Sequence, residues 1–413
     1  MQRRSAHRTI ALCLLAGAVH AQSGTASSTP RHDPSEDQRT ARARAHEAQM
    51  LADQTDHPTL AIGADAPGFA LPGIDGKTHA LVDFKASPIL AIVFISNHCP
   101  ASQLYEGRIK ELVKDYADKG VRVVAIAPNG PAAIGPSALN FTDLDDSFES
   151  MKLRADHRHF NFDYLYDGET QAVSHRYGPK VTPHIFIFDA ARRLRYEGRI
   201  DDRMQEDKVK NRDARNALDA LVAHEPVKVA HTPVFGCSTK WNSHEDSARE
   251  ELADWMQAPV TLQTATLQDL RELRQNRSDK TVMINFWATW CASCKIEYPM
   301  LLETYRWYRS RDFDFVSVAV DAPEAEVGVK RFLDKTHSAV RNLRVDSDDV
   351  YAVMGAFDPQ WESGVPYTVV LAPGGKVIYR HAGDVDKLGL RRAILGNLPD
   401  GGYFAGNAQY WRQ

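Results

Sequence analysis

The chain has 413 residues, 43% of them hydrophobic and 25% charged, with 50 Lys and Arg against 54 Asp and Glu and a formal net charge of −4. That length calls for two or three domains, because one hydrophobic core rarely grows past about 250–300 residues. The composition excludes a collagen, a coiled coil and a disordered acidic chain, and no basic stripe is present to neutralise phosphates, so nucleic acid is not an expected partner.

Residues 1–21 open with the basic "MQRRSAHR", continue with the apolar run "TIALCLLAGAV" and end with small residues at Val19 and Ala21. This three-part pattern predicts a secretory signal cleaved after Ala21, and hence a periplasmic location. The apolar run falls well short of the roughly 20 residues that span a bilayer. Arg3 and Arg4 are followed by Ser-Ala-His rather than an apolar pair, which favours the general secretory route. Cys13 sits inside the run and leaves with the signal. The mature chain then keeps 47 basic and 54 acidic residues and four cysteines: Cys99, Cys237, Cys291 and Cys294. Four cysteines in an exported protein can make two structural disulfides; their placement argues for something else.

Residues 22–57 carry almost no large apolar side chains and predict a disordered spacer, because they cannot bury enough surface to offset the entropy of ordering. From 58 to 224 the pattern is globular. "SPILAIVFI" and "VRVVAIA" read as strands, and between them Leu104, Ile109, Leu112, Val113 and Tyr116 recur at helical spacing. Strand, helix and strand of these lengths form a parallel βαβ unit with a right-handed crossover. "PHIFIFDA" and "RRLRYEGRI" read as an antiparallel pair, and "DARNALDALVAHE" as a closing amphipathic helix. Residues 225–258 form a connector that holds Cys237 and a polar helix.

The same order of elements recurs over 259–400, so the chain is a duplication of a whole domain. Its parts are the strand "TVMINFWA", a long helix from Cys294 onward with Pro299 inside it, the strand "FDFVSVAVD", two helices, a hairpin turning at Gly374-Gly375 and a last helix. A kink is expected at Pro299. The aromatic tail 401–413 is expected to dock on the second domain.

Cys291 and Cys294 are separated by two residues, directly after a strand and at the opening of a helix. Helix N–H groups and the positive end of the helix dipole stabilise a thiolate at the first cysteine. The second lies one turn in, within reach to resolve a mixed disulfide. Trp290 supplies an apolar flank and Lys295 a nearby positive charge. Half of a zinc site would need two more ligands at metal-like spacing, and none follow. A purely structural disulfide closing so short a loop would constrain the unfolded chain little. The context points to redox chemistry, with no metal and no organic cofactor needed.

"FWATWCASCKIEYP", followed 75 residues after Cys291 by the proline of "GVPYTVVLAPGGKVIY", resembles the exported thioredoxin-like proteins of the TlpA/ResA type over about 260–396. The resemblance implies that Cys291 is the nucleophile, Cys294 the resolving thiol and Pro366 a cis-proline facing them. Val365 would present its backbone to the substrate, leaving an extended edge for pairing with a peptide. Glu297 matches the family's acidic residue, a candidate proton acceptor for Cys294; the alternative is a solvated helix glutamate. "Ala-Ser" replaces the commoner Gly-Pro or Glu-Pro between the cysteines, which leaves the redox direction open.

An ungapped register places Cys99 on Cys291 and Ser102 on Cys294. Thr182-Pro183 stands where the second copy has Val365-Pro366, with Pro183 84 residues after Cys99. "GADAPGFALPGIDGKTHAL", "FISNHCP", "YEGRIDD" and "FGCSTKW" resemble the redoxin branch of the AhpC/TSA superfamily. The resemblance implies two thioredoxin-like domains in tandem, each a central mixed β-sheet flanked by helices. Ser96 meets the hydroxyl position of a peroxiredoxin loop, but Ile92 stands where its proline should be. Cys237 is the candidate resolving or disulfide partner of Cys99; the alternative is an unpaired, packed thiol. His98, His157 and His159 read as isolated histidines rather than a metal site.

The reading is an exported thiol–disulfide oxidoreductase exchanging disulfides with protein thiols through Cys291 and Cys294. An upstream thiol reductant or oxidant, with a membrane redox partner among the candidates, would supply or take the electrons. Two alternatives stay open for the first half: a hydroperoxide-reducing peroxidase using Cys99 and recycled by the second domain, or a non-catalytic client-docking module.

Overall fold

The computed structural model describes residues 52, 53, 55–399 and 406–412. The signal expected over 1–21 and nearly all of the spacer expected over 22–57 lie outside them. At the spacer's end His57 packs on the Trp241 ring, with centroids 3.9 Å apart.

The first domain begins with a small hairpin, β1 (Ala70–Pro72) and β2 (Thr78–Ala80). It continues with β3 (Ile89–Phe94), helix α1 (Pro100–Tyr116), β4 (Val121–Ala127), α2 (Phe148–His157) and β5 (Asp163–Tyr166). After β6 (Val181–Thr182) come β7 (His184–Phe188), β8 (Leu194–Gly198) and α3 (Asp213–Val222). The sheet order is β5-β4-β3-β7-β8. Every residue of β3, ILAIVF, is buried, as befits a continuous apolar run covered on both faces. It lies parallel to β4 and antiparallel to β7.

The connector holds β9 (Cys237–Ser238) and α4 (Glu245–Gln257). The second domain follows with β10 (Gln263–Ala265), α5 (Leu267–Gln275), β11 (Thr281–Trp287), α6 (Ala292–Tyr308) and β12 (Phe313–Ala319). It ends with α7 (Glu326–Lys335), β13 (Arg341–Val345), α8 (Val350–Phe357), β14 (Tyr367–Leu371), β15 (Val377–Ala382) and α9 (Lys387–Leu395). The sheet order is β10-β13-β12-β11-β14-β15. Helix α6 continues through Pro299 as one element.

The two sheets share a register as well as an order. Phe94, five residues before Cys99, pairs with His184, the residue after Pro183. Phe286, five residues before Cys291, pairs with Tyr367, the residue after Pro366. Each central strand therefore delivers a cysteine to its helix N-terminus, and its antiparallel neighbour delivers a proline beside it.

The halves meet through the segment between β4 and α2. Ile134 and Leu139 of that segment pack in the core of the second domain, and Tyr308 donates its hydroxyl to the Thr142 carbonyl at 2.8 Å. The fully buried Asp143 carboxylate accepts from Arg154 of the first domain at 2.8 Å and from Arg392 of the second at 2.7 Å.

The tail differs from its expectation. Its helix α10 (Asn407–Trp411) touches both α1 and α9 rather than the second domain alone. Tyr410 donates to Glu106 and accepts from Arg154, each at 2.6 Å, and Asn407 donates to Gln103 at 2.7 Å. The reason is polar: a buried phenol and a buried amide need partners, and the first domain supplies them.

Candidate active site

Strand β11 ends at Trp287, and the chain turns so that the Cys291 N–H donates to the Ala288 carbonyl at 3.1 Å. Thr289 N–H donates to both oxygens of the buried Asp321 carboxylate, at 3.1 and 3.0 Å, which fixes this loop against the end of β12. Cys291 caps α6, and its sulfur accepts the Cys294 N–H at 3.2 Å. The two cysteines are joined by a disulfide, with Cα atoms 5.3 Å apart. Cys294 is wholly buried, while Cys291 keeps 7% of its surface open. Beside them Trp290 is 65% exposed, and Lys295 also points to solvent. The Val365–Pro366 bond is cis, and the Val365 carbonyl oxygen lies 3.7 Å from the Cys291 sulfur.

Glu297 lies three residues past Cys294 and is buried. Its carboxylate accepts from the Asn285 amide at 3.1 Å and from the Val385 N–H at 3.2 Å. Burial pushes its carboxyl up to about 7, and these two hydrogen bonds only partly oppose that. A carboxyl pushed up to about 7 can give or take a proton around neutral pH. Asn285 and Asp321 are absent from the sequence reading. Asn285 did leave a signal: it is the lone polar residue inside the strand "VMINFW".

The first domain repeats the cap. Cys99 precedes α1, and its sulfur accepts the Ser102 N–H at 3.4 Å. Pro100 at the first helical position needs no N–H partner. The Thr182–Pro183 bond is cis, and the Thr182 carbonyl oxygen is 2.9 Å from the Cys99 sulfur. Ser102, in the place of Cys294, accepts the Ser96 N–H with its hydroxyl at 3.3 Å, while the Ser96 hydroxyl meets that of Thr182 at 2.9 Å. Cys237, from the connector, is brought to the same place: it pairs in β9 opposite Thr182, whose carbonyl oxygen touches the Cys99 sulfur. Both are free thiols.

Burial alone would push the Cys99 thiol up. The neighbouring Cys237 thiol, the charge of His98 and the contacts with Ser102 and Thr182 outweigh it and bring Cys99 down to about 6. The Cys237 thiol is pushed the other way, by the neighbouring Cys99 and by burial. His98 is held by Asp146, whose oxygens accept its ring Nδ1–H at 2.7 Å and its backbone N–H at 2.9 Å, with Asn129 donating to the same carboxylate at 2.7 Å. His157 and His159 lie on the surface, away from this cluster of bonds. Among the described residues no group of three or more His, Cys, Asp or Glu side chains could hold a metal ion, and no helix is long and apolar enough to cross a membrane.

The AhpC/TSA family profile matches residues 62–197 and the Redoxin profile matches 256–394. Thiol-disulfide oxidoreductase ResA of Bacillus subtilis is 31% identical over 135 residues, 32% of this chain and 69% of that protein. ResA of Oceanobacillus iheyensis is 30% identical over 101 residues, 24% of this chain and 47%, about half, of that protein. A solved structure of an uncharacterized conserved protein from Geobacillus kaustophilus is 37% identical, covering 45% of this chain and 94% of the other, with a TM-score of 0.40. With two redoxin-type domains in tandem and a ResA-like match at this identity and coverage, the chain belongs to the thioredoxin-like thiol–disulfide oxidoreductases of the ResA family.

Proposed function

We propose that the second domain exchanges disulfides with exported protein thiols through Cys291 and Cys294. The observation that carries this reading is the assembly at the start of α6: a capping sulfur open on one side, a buried second sulfur bonded to it, and the Val365 carbonyl alongside. In the reduced form the Cys291 thiolate attacks one sulfur of a client disulfide and expels the other as a thiolate. Glu297 takes the proton of Cys294, whose thiolate then attacks Cys291 and frees the second client sulfur. Two electrons pass to the client, and the disulfide between Cys291 and Cys294 is restored to its present form.

Run backwards, the same steps oxidise a client dithiol. The direction is set by the upstream thiol partner. Trp290 gives the client an apolar surface and Val365 a backbone edge that no strand covers among the described residues. No cofactor enters the cycle. Export follows from the pattern over 1–21 and would place this chemistry in the periplasm.

The test is reduction of a protein disulfide by the full chain, recycled with a small dithiol and compared with Cys291→Ser. Turnover should vanish in the variant; retained turnover overturns the reading.

A further inference from the structure

In the second domain the backbone before the cis-proline is open, and among the described residues no strand pairs with Val365. In the first domain the same edge is filled. Strand β9 pairs antiparallel with β6, so that Cys237 stands opposite Thr182, the residue before Pro183. The segment is shaped to lie there. Gly236 has a φ of 151°, and a Cβ on it would sit 2.1 Å from the Thr182 carbonyl oxygen, so only glycine fits. On the other side Thr239 donates its N–H to the Lys180 carbonyl at 3.1 Å and its hydroxyl to that of Pro179 at 2.6 Å. The strand sets its cysteine beside Thr182, whose carbonyl oxygen is 2.9 Å from the Cys99 sulfur.

We propose that β9 is a resident substrate strand: Cys237 occupies on the first domain the place a client cysteine takes on the second, and Cys99 and Cys237 form a reversible disulfide, a second redox couple in the chain. The likeness to a client rests on the exchange proposed for Cys291; the couple itself does not. The oxidant is a disulfide. The Cys99 thiolate attacks one of its sulfurs and releases a thiolate. The Cys237 thiol then displaces the remaining sulfur from Cys99, its proton passing to the thiolate already released. Two thiols are oxidised and one disulfide is reduced to two thiols. Cys99 has no exposed surface, so β9 must lift for the first step, and the helix-capped thiolate makes that step productive once it does.

The experiment uses the full chain in buffers of reduced and oxidised glutathione at graded ratios, quenched with acid, alkylated and mapped as non-reduced peptides. A cross-linked peptide joining Cys99 to Cys237 should accumulate as oxidised glutathione rises, while Cys237→Ser should hold a stable glutathione adduct on Cys99. Gly236→Ala, which displaces β9 without removing a thiol, should speed Cys99 alkylation in the reduced protein by about tenfold or more. The proposal is overturned if both thiols stay alkylatable at every ratio, if Cys99 cross-links to Cys291 or Cys294 instead, or if Gly236→Ala leaves the alkylation rate unchanged. The Cys291–Cys294 peptide titrates in the same digest, so failure of one couple is read separately from failure of the other.

Discussion

Cys99 and Cys291 cap equivalent helices, accept equivalent N–H groups three residues on, and face equivalent cis-prolines. Around Cys291 the surroundings open outward: it keeps 7% of its surface, beside a tryptophan that is 65% exposed and a backbone edge that no described strand covers. Around Cys99 everything is closed: the thiol has no exposed surface and its edge is filled by the chain's own β9. The capped thiolate is thus a property of the scaffold, set by strand register and helix start. What the thiol can meet is decided by two later choices, the residue three positions on and the occupant of the strand edge.

The largest expected effect breaks the symmetry outright. Cys291→Ser should reduce protein-disulfide turnover to background, while Cys99→Ser should leave it within about twofold, since only Cys291 is reachable by a client. A coupled turnover assay on both variants checks this.

Next is Glu297→Gln, which tests a carboxyl with no counterpart among the groups around Cys99. Because burial holds Glu297 near 7, its proton-accepting form appears only above that pH. Exchange in the wild type should therefore rise through about pH 7 and level off. The variant should lose that inflection and about a hundredfold in rate at pH 8. Stability gives a second sign. A carboxyl raised from its unfolded value favours the fold below about 4.5 and loses that advantage as pH rises through 7. Denaturation midpoints of wild type and Glu297→Gln should therefore separate between about pH 4.5 and 7 and stay apart above that, with the variant the more stable.

A milder change would make the two sites more alike. Ser102→Cys places a thiol where the second domain has Cys294, and most of the Cys99 oxidised by glutathione should then appear linked to residue 102 rather than to Cys237. Peptide mapping reads the competition directly. Smallest is Trp290→Ala, an exposed change that should move stability by no more than about 0.5 kcal/mol. It should slow turnover of a protein client a few-fold and of a small disulfide hardly at all.

Much of this was legible beforehand. "ILAIVF" and "TVMINFW" announce buried central strands, and a cysteine after each, opening a helix, announces the capped thiol. What stayed hidden depends on contacts between distant segments. Strand β9 is two residues long, too short for any periodicity, so Cys237 could be named as a candidate partner of Cys99 but the strand pairing beside Thr182 that places it could not. Glu297 was visible as a motif residue, but its elevated carboxyl comes from burial, only partly opposed by bonds from Asn285 and Val385, and only the folded chain brings these together. The tail's aromatic residues signalled docking; its polar atoms chose the surface.

The buried carboxylate of Asp143 carries a further consequence. It pairs with one arginine from each domain, so pulling the domains apart would break its bond to Arg392 and uncover the buried pair it forms with Arg154. Residues 134 and 139, already seated in the neighbouring core, would have to be withdrawn as well. Heat should therefore melt the two domains together, as one calorimetric peak with matched van't Hoff and calorimetric enthalpies. Asp143→Asn, which keeps the shape and removes the charge, should split that peak in two.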